Sequence, residues 1–373
     1  MEIMKNINVT KPFLPPLDEF LPYLDEIWSS RTLSNSGPLV RSLEAELEKY
    51  LGVKNVTVFA NATLALIAAF SCFGIKGNVI TTPYSFLASV NALQWNKLQP
   101  VFIDTGSGDV NIDVSKIEEA INNTTGAIFP IHTYGFPCDT NEIDRIAKKH
   151  GVKVIYDAAH AFNVSQDGVS ILNQGDASVL SFHATKIFHT FEGGCVVYGD
   201  DNMREKFESF KNFGLTGNDA AISIGLNAKM SEIHAAIGLA QIKHIDLIIS
   251  KRATIAKHYT EILSKVNGIE ILNYSGDFKP NYSYYPIQVL ENFPLSRDEL
   301  LKELKENGVM SRRYFYPLLT DFEAVKKYPN VTKFSFPNAS KLTNQVLCLP
   351  IYPDLPLDDV SFIANLISST KAG

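Results

Sequence analysis

The stretch SFHATKIFHTFEGG, residues 181–194, decides how this chain is read. It lies between two apolar runs, ASVLSFH (177–183) and GCVVYG (194–199), both with the β-branched and aromatic content of buried strands. Only about ten residues separate His183 from Gly194. A parallel crossover needs a dozen or more, an antiparallel return far fewer. The spacing therefore predicts that strand 194–199 runs antiparallel to its predecessor. Lys186 is then placed on the loop at the carboxyl end of strand 177–183, the edge where open α/β sheets bind ligands.

Further apolar runs extend the pattern upstream: VTVF (56–59), VITTP (79–83), PVFID (100–104), AIFPIH (127–132) and VKVIYDAA (152–159). Helical patterns such as ATLALIAAFSCF and TNEIDRIAKKHG alternate with them. The second opens with acids, closes on Lys-Lys-His and ends at a glycine, as the helix dipole and a C-cap favour. The alternation predicts βαβ units around a mainly parallel sheet.

Past residue 200 the texture changes. MSEIHAAIGLAQIKHIDLIISKRATIAKHYTEILSKV predicts a long helix with a bend near Ile245, leading out of a large domain over residues 1–249. A smaller α+β domain is expected over 250–373. Its parts are a strand YYPIQVL (284–290), a helix SRDELLKELKENG, a strand-like VMSRRYFYP and a final helix from about Leu357. Ser296 followed three residues later by Glu299 is a capping-box signature.

Composition narrows the function classes. The chain has 373 residues, 45% of them hydrophobic and 20% charged, which suits a soluble globular protein with a large core. A net charge of −6 without a dense basic cluster argues against nucleic acid and anionic membrane as partners. No apolar run is long enough for a bilayer span, and the N-terminus has no signal-like core. Four scattered cysteines (Cys72, Cys138, Cys195, Cys348) form no CxxC pair and read as free thiols of a cytoplasmic protein.

Taken singly, the polar residues at the strand ends have ordinary readings. Lys186 reads as a surface charge, Asp157 as a turn cap, and Thr63 as a first-turn residue behind an Asn61 N-cap. Together they fit one chemistry. A helix N-terminus near residue 62 favours a phosphate. Asp157 supplies an acid, and the 181–194 stretch supplies Ser181, Lys186 and two histidines. Pyridoxal 5′-phosphate needs such a set: a phosphate cradle, an acid for its pyridine nitrogen and a lysine to hold it as a Schiff base. Tyr84 and Phe86 stand at a fourth strand end as candidates to stack on the ring. No dinucleotide-binding or P-loop glycine pattern is present, and His132, Cys138, His183 and His189 have no standard metal-ligand spacing, so no metal is expected.

VFANATLAL, PIHTYGFPCD, YDAAHAF, SFHATKIFHTFEGG and NAKMSEIHAAIGLAQ together resemble the DegT/DnrJ/EryC1/StrS sugar aminotransferases. The resemblance runs from about Leu33 to LCLPIYPDL near 347–355. It implies the aspartate aminotransferase fold, fold type I of the pyridoxal phosphate enzymes. That fold has a large domain with a seven-stranded, mostly parallel sheet, a smaller C-terminal domain, and homodimers with shared active sites. It also implies roles. Lys186 matches the Schiff-base lysine, Asp157 the pyridine-nitrogen partner and His160 the residue supporting the cofactor's ring or 3-oxygen. Ser181, Ala62 and Thr63 match the phosphate cradle, and Phe86 the stacked aromatic. Asn227 matches an asparagine reaching the phosphate from the neighbouring subunit. His183, His189, Glu192, Asn35 and Tyr316 are candidates for substrate contact. Ala62 stands where the family usually has glycine, and Tyr156 where an acid often precedes the aspartate.

Some relatives replace the lysine by histidine and act as dehydratases; Lys186 points to transamination instead. The SFHATK…EGG form resembles members that aminate C4 of a nucleotide-linked 4-keto-6-deoxy sugar. The implied reaction takes an amino group from L-glutamate, leaving 2-oxoglutarate. It converts dTDP-4-keto-6-deoxy-D-glucose to dTDP-4-amino-4,6-dideoxy-D-glucose for O-antigen or other glycan synthesis. C3 amination, a UDP-linked sugar and a non-catalytic cofactor-binding regulator are the alternatives.

Overall fold

The computed structural model describes residues 6–217, 220–272, 277–328, 331 and 334–370. Seven strands form the main sheet: β1 (Asn55–Phe59), β2 (Asn78–Thr81), β3 (Gln99–Phe102), β4 (Thr125–Ile128), β5 (Lys153–Asp157), β6 (Ala177–Ser181) and β7 (Gly194–Tyr198). Their order is β1-β7-β6-β5-β4-β2-β3. β7 pairs antiparallel with both β1 and β6, and every other pairing is parallel. The direction inferred from the short step between residues 183 and 194 is thus the observed one, and all seven apolar runs are strands.

The main helices are α1 (Leu17–Ser30), α2 (Pro38–Leu51), α3 (Ala62–Cys72), α4 (Leu87–Trp95), α5 (Thr140–His150), α6 (Met203–Lys211), α7 (Glu232–Ile242) and α8 (Ile245–Leu263). One apolar cluster joins Leu43 and Leu47 of α2, Ala236 and Leu239 of α7, and Val56, Leu180 and Val197 of the sheet. A second joins Ala65 and Ala69 of α3 and Phe207 of α6 to Phe59, Val179 and Val196. Adjacent strand residues enter opposite clusters, as the pleat requires, so the sheet is buried on both faces. Asp139 caps α5 and Gly151 ends it in a left-handed conformation.

The long helical pattern is two helices, broken at Lys243–His244 beside the expected bend. Ile245, Ile248 and Ile249 of α8 pack in the first cluster, whereas Ile255, Tyr259 and Leu263 pack around a second sheet. That sheet has the order β8 (Ile269–Ile271), β9 (Tyr285–Val289), β10 (Val346–Leu349). It is accompanied by α9 (Arg297–Glu306), α10 (Pro337–Gln345) and α11 (Leu357–Ser369). The capping box is present: Ser296 Oγ accepts from Glu299 N–H, and the Glu299 carboxylate accepts from Ser296 N–H at 2.8 Å. The protein therefore has the expected α/β architecture, with a smaller α+β part at the C-terminus.

Residues 309–317, expected as a strand, are irregular. Val309 and Arg312 make only isolated bridges, to Ile7 and Cys348. The segment's aromatic side chains prevail over a ladder. Phe315 is buried with Tyr84 and Tyr134, whose hydroxyls lie 3.0 and 2.8 Å from the Tyr314 carbonyl. Among the described residues, no helix is long and apolar enough to cross a membrane.

Candidate active site

The carboxyl ends of β1, β5 and β6 open onto a cavity of about 280 Å³. Its wall includes Ala62, Thr63, Phe86, Asp157, His160, Ser181, His183, Lys186 and Glu192. Residues spread over more than a hundred sequence positions thus converge where the sheet topology predicts.

The loop carrying Lys186 is fixed by its apolar residues. Phe188 stacks on Phe162 at 4.7 Å and meets Phe182 edge-on at 4.8 Å. Phe182 N–H donates to Gly193 O, and Thr190 N–H to Phe182 O, closing the loop on itself. Burial, opposed by Asp157 and helped by Arg312, lowers the Lys186 amine to about 8. A neutral amine, the nucleophilic form, is therefore accessible near neutral pH. Nζ donates to the Tyr284 hydroxyl at 3.1 Å.

Asp157 ends β5. Its Oδ2 accepts from Ser89 Oγ at 2.7 Å and its Oδ1 from Ala159 N–H at 3.1 Å. Burial nevertheless raises its pKa, opposed by these hydrogen bonds and by Lys186. A cationic ring nitrogen in the cavity would be a strong partner for this carboxylate. His160 Nδ1 accepts from Tyr134 N–H at 3.2 Å, which leaves the proton of the neutral ring on Nε2. Burial keeps the imidazole neutral, with Tyr134 and Phe315 stacked near it.

The third strand end is the head of α3. Asn61 Oδ1 accepts from Leu64 N–H at 2.9 Å, so the expected N-cap is made. Ala62 and Thr63 then present first-turn N–H groups that have no intrahelical acceptor. No acid lies in that turn to neutralise the positive end of the helix. β7 passes very close by: a Cβ on Gly194 would sit 2.5 Å from Ala62 N. The final glycine of the opening stretch lets this helix end reach the cavity. The amine, the buried acid and the helix head fit pyridoxal 5′-phosphate, with Lys186, Asp157 and Ala62–Thr63 as the groups that would hold it.

His183 and Glu192 share the wall. His183 Nδ1 accepts from Thr185 N–H at 3.2 Å and lies 2.8 Å from Thr185 Oγ1. Its Nε2 faces Glu192 Oε1 at 3.6 Å. The other candidates lie elsewhere. His189 is buried outside the cavity, 2.7 Å from the Phe13 carbonyl, and anchors the N-terminal segment. Asn35 lines a separate recess with Lys229, and exposed Asn227 bridges to Asn212. The Arg297 and Arg313 guanidinium groups lie 5.0 and 4.2 Å from the Tyr316 ring centroid. Tyr84 is buried and hydrogen-bonds Tyr134 at 2.6 Å.

Sequence reasoning missed Ser89, Tyr284, Arg312 and Tyr314, all on the cavity wall. The arginine pair at 312–313 was the available signal, hidden by the strand reading of that segment. Ser89 and Tyr284 carry no local signal, since only the fold brings them to Asp157 and Lys186.

The sequence profile of the DegT/DnrJ/EryC1/StrS aminotransferase family matches residues 17–368. A dTDP-4-amino-4,6-dideoxy-D-glucose transaminase of Shigella dysenteriae is 48% identical, over 98% of this chain and 100% of that protein. A transaminase of the same name from Escherichia coli is 43% identical, over 97% and 98%. Among solved structures, DesI with its TDP-sugar product superposes with a TM-score of 0.93 at 31% identity, covering 98% of this chain and 93% of that one. Helicobacter pylori PseC, an aminotransferase of pseudaminic acid biosynthesis, gives 0.90 at 28% identity, covering 97% and 98%. This chain belongs to the DegT/DnrJ/EryC1/StrS aminotransferase family and is a pyridoxal 5′-phosphate-dependent enzyme.

Proposed function

We propose that the chain transfers the amino group of L-glutamate to C4 of dTDP-4-keto-6-deoxy-D-glucose, forming dTDP-4-amino-4,6-dideoxy-D-glucose and 2-oxoglutarate. The observation that carries the chemistry is the pairing, in one cavity, of a lysine amine lowered to about 8 with the buried Asp157 carboxylate beside the head of α3. The two relatives named for that product, at 48% and 43% identity over nearly full length, support the substrate.

When bound, pyridoxal 5′-phosphate supplies an electron sink for the carbanion formed on each substrate. Lys186 holds it covalently at rest. Once released, the lysine amine takes the proton from Cα of glutamate and later returns one to C4 of the sugar. Asp157 keeps the pyridine nitrogen protonated, and Ser89 holds the carboxylate in place. The N–H groups of Ala62 and Thr63, with Ser181, bind the phosphate. His160 and Phe86, both on the cavity wall, would support the cofactor ring. His183 and Glu192 contact the sugar, and Arg312 offers a positive charge to a substrate carboxylate or diphosphate.

The reading extends to a cytoplasmic homodimer with shared sites, in which Asn227 of each subunit serves its neighbour's phosphate. Its cofactor-binding domain covers residues 1–249 and its smaller domain 250–373. The change of packing partner along α8 supports a boundary there, although Ile7 packs with the C-terminal sheet. The product feeds O-antigen or related glycan assembly. The test offers dTDP- and UDP-linked 4-keto-6-deoxyglucose side by side with glutamate, followed by NMR of the product. An equatorial amine at C4 of the dTDP sugar is expected. An axial amine at C4, no amination of the dTDP 4-keto sugar, or preference for the UDP sugar contradicts the assignment.

A further inference from the structure

We propose that Tyr284 is a positioning residue for the catalytic lysine, its phenol holding the free Lys186 amine in line whether that amine is charged or neutral. The proposal rests on the reading of Lys186 as the cofactor-bearing lysine.

A phenol both donates and accepts. The ammonium form of Lys186 donates to Tyr284 Oη, at 3.1 Å, and the neutral amine can accept the phenol's own proton. One group therefore serves an amine that gains and loses a proton in each half-reaction. Burial raises the Tyr284 pKa, so the group remains a phenol throughout the working range. Among the described residues, Lys186 is the hydroxyl's hydrogen-bond partner.

The surroundings hold the ring rigidly. It meets His160 at 4.8 Å and Tyr314 at 5.0 Å, both edge-on, and Tyr134 at 5.6 Å. The backbone leading to it is tied to the loop that follows Asp157. Asn281 Nδ2 donates to the carbonyls of His160 and Phe162 at 2.8 and 2.9 Å, and Ser283 Oγ donates to His160 O at 3.0 Å. Tyr282 is held at a φ of 54°, an uncommon conformation for a bulky residue. Beneath it, buried Arg252 donates to the carbonyls of Tyr282 and Ser283 at 3.2 and 3.3 Å. Burying a guanidinium to hold two carbonyls is costly for a loop that only fills space. Phenylalanine would pack as well; the hydroxyl is what reaches the lysine.

The test is Tyr284→Phe in the full-length enzyme, with three readouts. The first is the rate at which apoenzyme attaches pyridoxal 5′-phosphate, followed by absorbance across pH. The second is the single-turnover rate with glutamate. The third is affinity for pyridoxamine 5′-phosphate, which binds without the lysine bond. The other groups facing the amine, Asp157, Arg312 and His160, are unchanged in the variant. Both rates are expected to fall roughly 10- to 100-fold, the size of one hydrogen bond to a charged group, and the pH midpoint of attachment to move. Pyridoxamine phosphate affinity is expected to stay within about twofold. Rates and midpoint within about twofold of the unmodified enzyme overturn the proposal, as does an affinity loss matching the rate loss, which marks a packing role. Tyr284→Leu carries the same comparison if the phenylalanine variant does not fold, an unmoved midpoint again overturning it. A cofactor found away from Lys186 in the unmodified enzyme defeats the underlying reading, whereas attachment at Lys186 with an unaffected Tyr284→Phe defeats this proposal alone.

Discussion

Ser89 Oγ donates a 2.7 Å hydrogen bond to Oδ2 of Asp157, joining the first turn of α4 to the end of β5. The bond favours the ionised carboxylate, against a burial effect that raises its pKa. Ser89→Ala removes that support, so the pKa rises further and the ionised form is less favoured. Cofactor affinity is expected to drop about tenfold at pH 7. The deficit should shrink as pH rises and Asp157 ionises regardless. Titrating apoenzyme with cofactor at several pH values measures both effects.

Lys186 gives a second pH signature. Its amine is lowered to about 8 in the fold from an ordinary value of 10.5. Attachment of the cofactor to apoenzyme should therefore quicken with pH and level off above about 8, where an unperturbed lysine would keep climbing. The stability consequence has a definite sign. Between these two values the unfolded chain holds a proton that the folded chain has released, so apoenzyme stability rises with pH. Lys186→Met should raise the apoenzyme's melting temperature at pH 7, and the gain should fade as pH approaches 10.5. Thermal melts of both apoenzymes across that range check it.

Gly194→Ala places a Cβ 2.5 Å from Ala62 N and 2.6 Å from Ala62 Cα, backbone atoms that cannot swing aside. A stability loss of about 1–3 kcal/mol is expected from the overpacking. Cofactor phosphate affinity should fall with it, because the displaced backbone is the head of α3. Denaturant unfolding and cofactor titration of the same sample separate the two effects.

Ser296→Ala tests the C-terminal part away from the chemistry. It removes one half of the capping box and should lower the melting temperature by roughly 2 °C. The turnover number should be unchanged.

The seven strands were legible because each is buried on both faces and so reads as a short apolar run between helical patterns. The turn-back at Gly194 followed from loop length alone. Lys186 and Asp157 gained meaning only in combination, and the family resemblance named their roles. Contacts between distant segments were not legible. Glu232, for example, caps α2 by accepting from the N–H groups of Leu39 and Val40, at 2.8 and 3.1 Å. No local signal in MSEIH marks it for that. The segment 309–317 misled because its aromatic residues pattern like a strand, while the pocket around Tyr84 and Tyr134 draws them out of any ladder. His189, grouped with Lys186 by sequence proximity, is an anchor for Phe13, and His183 is the histidine of the pair that reaches the cavity.

Everything proposed for the chemistry depends on where the cofactor is attached. Borohydride reduction of the holoenzyme, followed by proteolysis and mass spectrometry, fixes that position permanently. A single modified peptide carrying pyridoxyl phosphate on Lys186, lost when glutamate is added before reduction, is the expected result. Modification of any other lysine, or of none, contradicts the assignment of SFHATKIFHTFEGG as the centre of the active site.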